Sequence, residues 1–456
     1  MIPLIEIIDR SLTGPYCIQE EFDLNVFVPK LREVTRKYKI KFDPEMPIPW
    51  DDDLADRVFQ AAVEFYSQVG TYCIDTERII RFSESEILEG LKSAPFEPTF
   101  GEGRDCKRLF PRKPESQIPP WCFLGAAGAP VSSEEIFSKV MQGYASIPLV
   151  DSITTPTLTT INGRQIRASS PLEVLACIRS SLLSREVLSN AGRPGLPIMN
   201  SIATSVTDTA KIAGSQFGLR PSDGWLIGSI AEMKVNFQRL NEVAFVQSLG
   251  GRICAESGPL LGGYCGGAEG VAIANVAYHL HCILVLRGSC QVTFPLHYQT
   301  VCTSSRDLLW VVSVSSQAIS RNSHLAFFTI PNTASGPGEE MCFYETAAIV
   351  TSIVVSGSSL EALGVYKNAT VDLQTPQGPE FASEIAHAVP GMGRREANEI
   401  VKHLLSIYEN RIQHPPMGKR YQESYDLKTG KPFIETQRLY QRVKREIASF
   451  GFKFKY

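Results

Sequence analysis

The chain has 456 residues, 43% of them hydrophobic and 20% charged, with a formal net charge of −3 at pH 7. That balance fits a packed protein of one large or two ordinary domains and gives no electrostatic reason to bind nucleic acid. Its 11 cysteines include no C-x-x-C pair, which reads as a set of reduced thiols in a cytoplasmic protein. The first residues run straight into Glu6 and Asp9, unlike a secretory signal, and the strongest apolar stretch, Ala347 to Val355, is too short to span a bilayer.

Near the start, Leu54, Val58, Ala62, Phe65 and Val69 recur at helical spacing, with Asp51 or Asp52 to cap the helix and Gly70 to end it. A proline-rich stretch from Pro111 to Pro120 marks a boundary. Ser132 and Glu135 stand at capping-box spacing before a helix reaching Met141. Ser170, Pro171 and Glu173 form a stronger start, predicting a helix through Leu175, Ile178, Leu182 and Val187 that stops near Gly192. Apolar runs at 148–153, 196–202, 243–246, 283–286, 325–330 and 347–355 predict strands between such helices. A final amphipathic helix centres on Leu439, Val443 and Ile447.

Short apolar strands alternating with helices indicate an α/β fold with a parallel sheet covered by helices, and the number of repeats favours a (β/α)8 TIM barrel. An open doubly wound sheet is the alternative, but its glycine fingerprint is missing. Gly391-Met392-Gly393-Arg394-Arg395-Glu396 lacks the third glycine and follows no strong strand. The division expected is an N-terminal helical extension over 1–115, the barrel over 116–410 and a C-terminal helical tail over 411–456.

The densest unusual segment runs from Glu256 to Glu269 and holds Gly262, Gly263, Gly266 and Gly267 within six positions. Glycines there permit positive φ and close approach of a ligand, or simply a tight strand-to-helix turn. It precedes a helical run from Val271 to Ile283, so it sits where a barrel builds its active face. Glu256 reads either as a salt-bridge or cap carboxylate, or as a charge facing a cationic substrate. Tyr264 reads as a pocket wall or a packed lid residue. Glu269 and Glu340 are expected to be structural, each tying a loop to backbone amides. His279 and His281 fall on different faces of a helix, so no metal site is expected. The run Arg438, Arg442, Lys444 and Arg445 is a solvated helix face or a docking patch.

Several of these segments together carry a resemblance. Ala191-Gly192-Arg193-Pro194-Gly195-Leu196-Pro197-Ile198 and Gly262-Gly263-Tyr264-x-Gly266-Gly267-x-Glu269 closely resemble segments of the archaeal monomethylamine:corrinoid methyltransferases. Further agreements are Gly101-x-Gly103-Arg104-Asp105, Ser170-Pro171-x-Glu173, Gly336-Pro337 with Glu340-Met341-Cys342, Gly418-Lys419 and Tyr425-Asp426-x-Lys428-Thr429. The resemblance implies a TIM-like barrel, a homo-oligomer, and methylation of the cobalt of a corrinoid carried by a small partner protein, with no cofactor or metal held by this chain.

In that family the residue after the first run is pyrrolysine, whose ring imine forms an adduct with the amine. Here it is Met199, a flexible thioether and no electrophile. Glu256 matches the family's acidic residue beside pyrrolysine. A glutamine and a tyrosine of the family's pocket fall on Ile330 and Asn332, and an acidic residue falls on Leu226. The resulting expectation is a non-pyrrolysine methyltransferase for a methylated amine, with a quaternary ammonium as one candidate donor. Glu256 would be the catalytic carboxylate, and Met199, Tyr264, Ile330 and Asn332 the substrate-binding residues. The alternatives are another N-, O- or S-methyl donor, or a non-catalytic barrel that binds or scaffolds.

Overall fold

Eight short strands, each followed by a helix, dominate the architecture of the computed structural model, which describes residues 2–125, 128–200, 206–365 and 370–454. The strands are β1 Cys122–Leu124, β2 Ser152–Ile153, β3 Met199–Asn200, β4 Gly224–Gly228, β5 Arg252–Ser257, β6 Cys290–Thr293, β7 Phe327–Thr329 and β8 Ser359–Ala362. The helices after them are α1 Glu134–Ser146, α2 Pro171–Asn190, α3 Asp208–Gly218, α4 Phe237–Ser248, α5 Ala268–Leu284, α6 Arg306–Asn322, α7 Glu340–Val355 and α8 Gln377–Ala388. The sheet runs β3-β4-β5-β6-β7-β8-β1-β2, parallel throughout. A parallel bridge between Ile153 and Ile198 brings β2 to β3 and nearly closes the sheet into a (β/α)8 barrel.

Strand alternation sorts the side chains into two layers. Phe123, Met199, Leu226, Cys254, Cys290, Val292 and Phe328 point inward and form one buried apolar cluster. Leu124, Ile153, Leu360 and Ala362 point outward and pack with the surrounding helices.

The helix Asp52–Val69 forms as its spacing predicts: Asp51 accepts from the Asp53 amide, and Gly70, at φ 71°, ends it. It lies across α5 and α6. The capping residue of α1 is Ser133 rather than Ser132, accepting from the Ile136 amide. In α2, Ser170 caps as expected, but Glu173 reaches one residue further back to the Ser169 amide at 2.7 Å, and also accepts from the Val206 and Thr207 amides. Leu175 and Leu182 are exposed rather than on the inner face of that helix.

Three of the predicted strands are helical. Residues 243–246 lie within α4, 283–286 continue the end of α5, and 347–355 form the second half of α7. Every residue of α7 from Met341 to Val355 is buried, so no polar face remains to mark the helical period, and the β-branched content imitates a strand. The helices Arg394–Tyr408 and Ile434–Ala448 both pack on α7. The Gly391–Glu396 segment opens the first of these, with the Arg394 amide held by the Glu115 carboxylate at 2.7 Å.

The run preceding β3 is anchored at the barrel's N-terminal end. The carboxylate of fully buried Asp223 accepts from the Ile198 amide at 3.0 Å and the Arg220 amide at 2.7 Å, and it is paired with Arg185. Asp105 pairs with Arg193 at 2.6 Å, and the Gly195 carbonyl accepts from the Glu102 amide. Asp223→Ala would strand Arg185 and the Ile198 amide, so urea denaturation should show a loss of about 3 kcal/mol or more; a change below ~1 kcal/mol would remove Asp223 from the anchoring role.

Candidate functional site

Glu256 is the penultimate residue of β5, at the C-terminal end of the barrel where (β/α)8 enzymes place their chemistry. It alternates with inward-facing Cys254, so it too faces the interior. Its neighbours in register are Gly228 on β4 and Val292 on β6. A Cβ built on Gly228 would lie 3.9 Å from Glu256 Oε2, so the absence of a side chain there leaves the carboxylate uncovered on that flank. Glu256 is half-buried, and no hydrogen bond or ion pair reaches its carboxylate among the described residues. Burial pushes its pKa up to about 7, against the pull of Lys211 and Arg239. Those two cations sit on α3 and α4 and are already engaged by Glu242, at 3.2 and 2.6 Å.

A second carboxyl faces the same interior. Glu361 on β8 is 1% exposed, stands in register with Phe123, and has its Oε2 buried without a hydrogen-bond partner among the described residues. Burial first, then the charges of Glu256 and Cys254, hold its carboxyl well above the usual carboxylate range. Sequence reasoning missed it. The only available signal was a single acid between Leu360 and Ala362 in a segment too weakly hydrophobic to read as a strand.

Met199 is fully buried on β3 and belongs to the inward cluster with Leu226. It stands level with Gly224, whereas Glu256 stands level with Gly228, so Met199 lies deeper in register. A Cβ on Gly224 would meet Met199 Cγ at 2.9 Å and Cys254 Sγ at 2.7 Å, so the methionine fills the space that glycine leaves. Ile330, just beyond β7, is partly buried against the same cluster. Asn332 donates to the Ile330 carbonyl at 3.3 Å, and its Oδ1 occupies the space beside Gly364.

Tyr264 lies elsewhere. It is 45% exposed and lines a cleft of about 760 Å³ between the glycine-rich loop and the helix Val28–Lys37, alongside Arg32 and Arg36. The glycines serve the turn itself. Gly262 has φ 85°, and a Cβ there would meet the Tyr298 ring at 2.4 Å; one on Gly270 would meet the Cys265 carbonyl at 2.1 Å. Glu269 accepts from the Phe42 amide at 3.1 Å, tying the loop to the N-terminal region, as expected. Glu340 instead takes the Tyr344 hydroxyl and Arg442, at 3.3 and 3.4 Å.

His279 and His281 are buried on α5, where desolvation pushes both imidazoles down to about 3 and keeps them neutral. Among the described residues no group of three or more His, Cys, Asp or Glu side chains is placed to hold a metal ion. Of the basic run near the C-terminus, Lys444 pairs with Glu384 at 2.7 Å and Arg442 with Glu340. No helix among the described residues is long and apolar enough to cross a membrane.

An acid at the C-terminal mouth of a (β/α)8 barrel, above an apolar interior, is the architecture of a TIM-barrel enzyme. Comparison over the whole chain narrows that class. Residues 2–452 match the family described as monomethylamine methyltransferase MtmB, and the chain belongs to that family. It is 29% identical over 450 residues to monomethylamine methyltransferase MtmB2 of Methanosarcina acetivorans and 30% identical over 448 residues to MtmB1 of Methanosarcina barkeri, covering 98% of this chain and 97% of each relative. Its fold superimposes on the crystal structure of the Methanosarcina barkeri enzyme, and on that of a hydroxylamine MtmB complex, with a TM-score of 0.95 and 29% identity. Each alignment covers 99% of this chain and 98% of the solved one.

The raised pKa of Glu256 has a consequence for stability. A carboxyl that moves from its usual 4.5 to about 7 on folding makes the folded state bind more protons in that interval. Stability therefore falls as pH rises through the window, by up to about 3 kcal/mol. Glu256→Gln removes this penalty. Urea denaturation should find the variant gaining on wild type by roughly 2–3 kcal/mol between pH 5 and pH 8; an equal difference at both pH values would mean the carboxyl ionises at its usual pH.

Proposed function

We propose that this chain transfers a methyl group from a methylated amine, with a quaternary ammonium the best-suited donor, to the cobalt of a corrinoid carried by a partner protein, without a pyrrolysine adduct. The observation that carries this reading is the Glu256 carboxylate, unpaired at the barrel mouth above an interior lined by Met199, Leu226 and Phe328. A purely structural acid would be hydrogen-bonded, as Asp223 and Glu173 are. Two unpaired inward carboxyls therefore argue against a scaffolding barrel.

The chemistry explains why such a site can work without an imine. A primary amine is a poor leaving group and profits from covalent activation. A quaternary ammonium already carries positive charge: the C–N bond breaks, its electron pair stays on nitrogen, and a neutral tertiary amine departs. The corrinoid supplies the cobalt nucleophile that takes the methyl group. This chain's own residues bind, orient and exclude water. At about 4 Å, a carboxylate attracts an ammonium by about 4 kcal/mol in an intermediate dielectric. Apolar residues of the interior such as Met199 and Ile330 suit N-methyl groups and would be poor partners for an N–H. Glu256 keeps some contact with solvent, so the mouth is the face to which a partner would present cobalt. The same reading includes a cytoplasmic homo-oligomer, and the exposed Leu175, Leu182 and Phe217 on the adjoining helices α2 and α3 offer an apolar surface for it.

A donor screen tests the reading. With a reduced corrinoid protein as acceptor, tetramethylammonium should consume the cobalt(I) absorbance and monomethylamine should not. Glu256→Gln should weaken binding of the active cation by roughly tenfold or more, or about 1.4 kcal/mol. Turnover of monomethylamine at a rate matching the best quaternary donor would overturn the proposal.

A further inference from the structure

Glu256 and Glu361 come from β5 and β8, far apart in sequence, yet both point into one barrel. The direction of Glu361 follows from its neighbours: Leu360 and Ala362 belong to the outer layer with the helices, and Phe123, level with Glu361, belongs to the inner one. Its flanking strands β1 and β7 contribute Phe123 and Phe328, whose rings meet edge to face at 5.9 Å. The titratable groups facing it are Glu256 and Cys254 from β5 and Cys290 from β6, with the two sulfurs 3.0 Å apart. The Cys122 thiol lies on the outer side of β1 beside His387. The nearest cations, Lys211 and Arg239, act on Glu256 from α3 and α4 and are engaged by Glu242. Among the described residues nothing neutralises Glu361, and its Oε2 is left without a partner.

We propose that Glu361 is a specificity-determining residue of the methyl-donor site, a second inward acid that stays protonated beside a vacant or neutrally occupied site and ionises when a cation settles beside Glu256. This rests on the cationic-donor reading above. Two carboxylates in a water-poor interior repel each other, so a vacant site cannot hold both charges. A permanent cation offsets that repulsion and lets the Glu361 O–H bond break, the proton leaving to solvent. A neutral donor of the same shape gives no such relief. The second acid therefore adds to cation affinity and nothing to neutral affinity.

The probe is tetramethylammonium, titrated calorimetrically into the full-length protein from about pH 5 to about pH 9. Wild type should show two rises in affinity, each up to about tenfold per pH unit: one as Glu256 ionises, and one above it as Glu361 does. E361Q should keep the lower rise and lose the upper; E256Q should lose the lower. The wild-type profile is itself decisive, even where a variant folds poorly. A single rise in wild type, or an upper rise that survives in E361Q, overturns the role of Glu361 and leaves the donor reading intact. Absence of binding at every pH overturns both.

Discussion

Closing eight parallel strands onto themselves confines a small interior in which every second residue must find room, and solvent reaches only what lies near its mouth. In this chain the confined space is apolar over most of its depth, from Phe123 and Phe328 to Met199, Leu226 and the two facing cysteines. Among the described residues two inward strand positions carry carboxyls, Glu256 and Glu361. Burial raises the pKa of both carboxyls, the charge of Glu256 pushes Glu361 further up, and such groups destabilise the folded state as pH rises. Natural structures seldom tolerate this without a functional return. Helices, caps and anchors hold the barrel in place: Asp223 fixes the run before β3, Glu173 ties α2 to residues 206–207, and Glu345 binds the Ala334 and Ser335 amides beyond β7.

The apolar surroundings and the two inward acids suit the ligand chemistry proposed above. Met199 and Ile330 offer no hydrogen bond that an amine N–H would need, and Glu256 offers charge without a preformed partner. On the proposed reading, such a combination would discriminate by charge and by methylation together. A protonated primary amine would leave its N–H groups facing sulfur and hydrocarbon, at a cost of ~1–3 kcal/mol for each unsatisfied donor. A quaternary ammonium has none to leave.

Much of the outer scaffold was legible in the sequence because its signals are local. Asp51 with Gly70, and Ser170 with Pro171 and Glu173, bracket helices that form where those residues stand. The barrel class was also legible, although half of the predicted strands, at 243–246, 283–286 and 347–355, proved to be buried helix. At 283–286 and 347–355 apolar residues surround the helix and erase its period, whereas 243–246 is a short apolar patch of an amphipathic helix in which only Val243 and Val246 are buried. The strands that build the site were the hard ones. β5, β6 and β8 are four to six residues long and carry Glu256, Gln291, Thr293, Ser359 and Glu361, so their hydrophobicity is broken, and β4 offers only Trp225, Leu226 and Ile227 between two glycines. Glu256 was found through its place before a glycine-rich turn. Tyr264, singled out by the same turn, belongs to a surface cleft because that turn folds outward over the helix Val28–Lys37. Glu361 could be found only once the barrel closed and brought β8 within reach of β5.

The most direct test of this account is a crystal structure of the full-length protein with tetramethylammonium. The account predicts the cation inside the barrel mouth, its nitrogen about 4–5 Å from the Glu256 carboxylate and its methyl groups against Met199 or Ile330. A cation bound instead in the cleft beside Tyr264, or an interior filled by side chains with no room for the ligand, would contradict it.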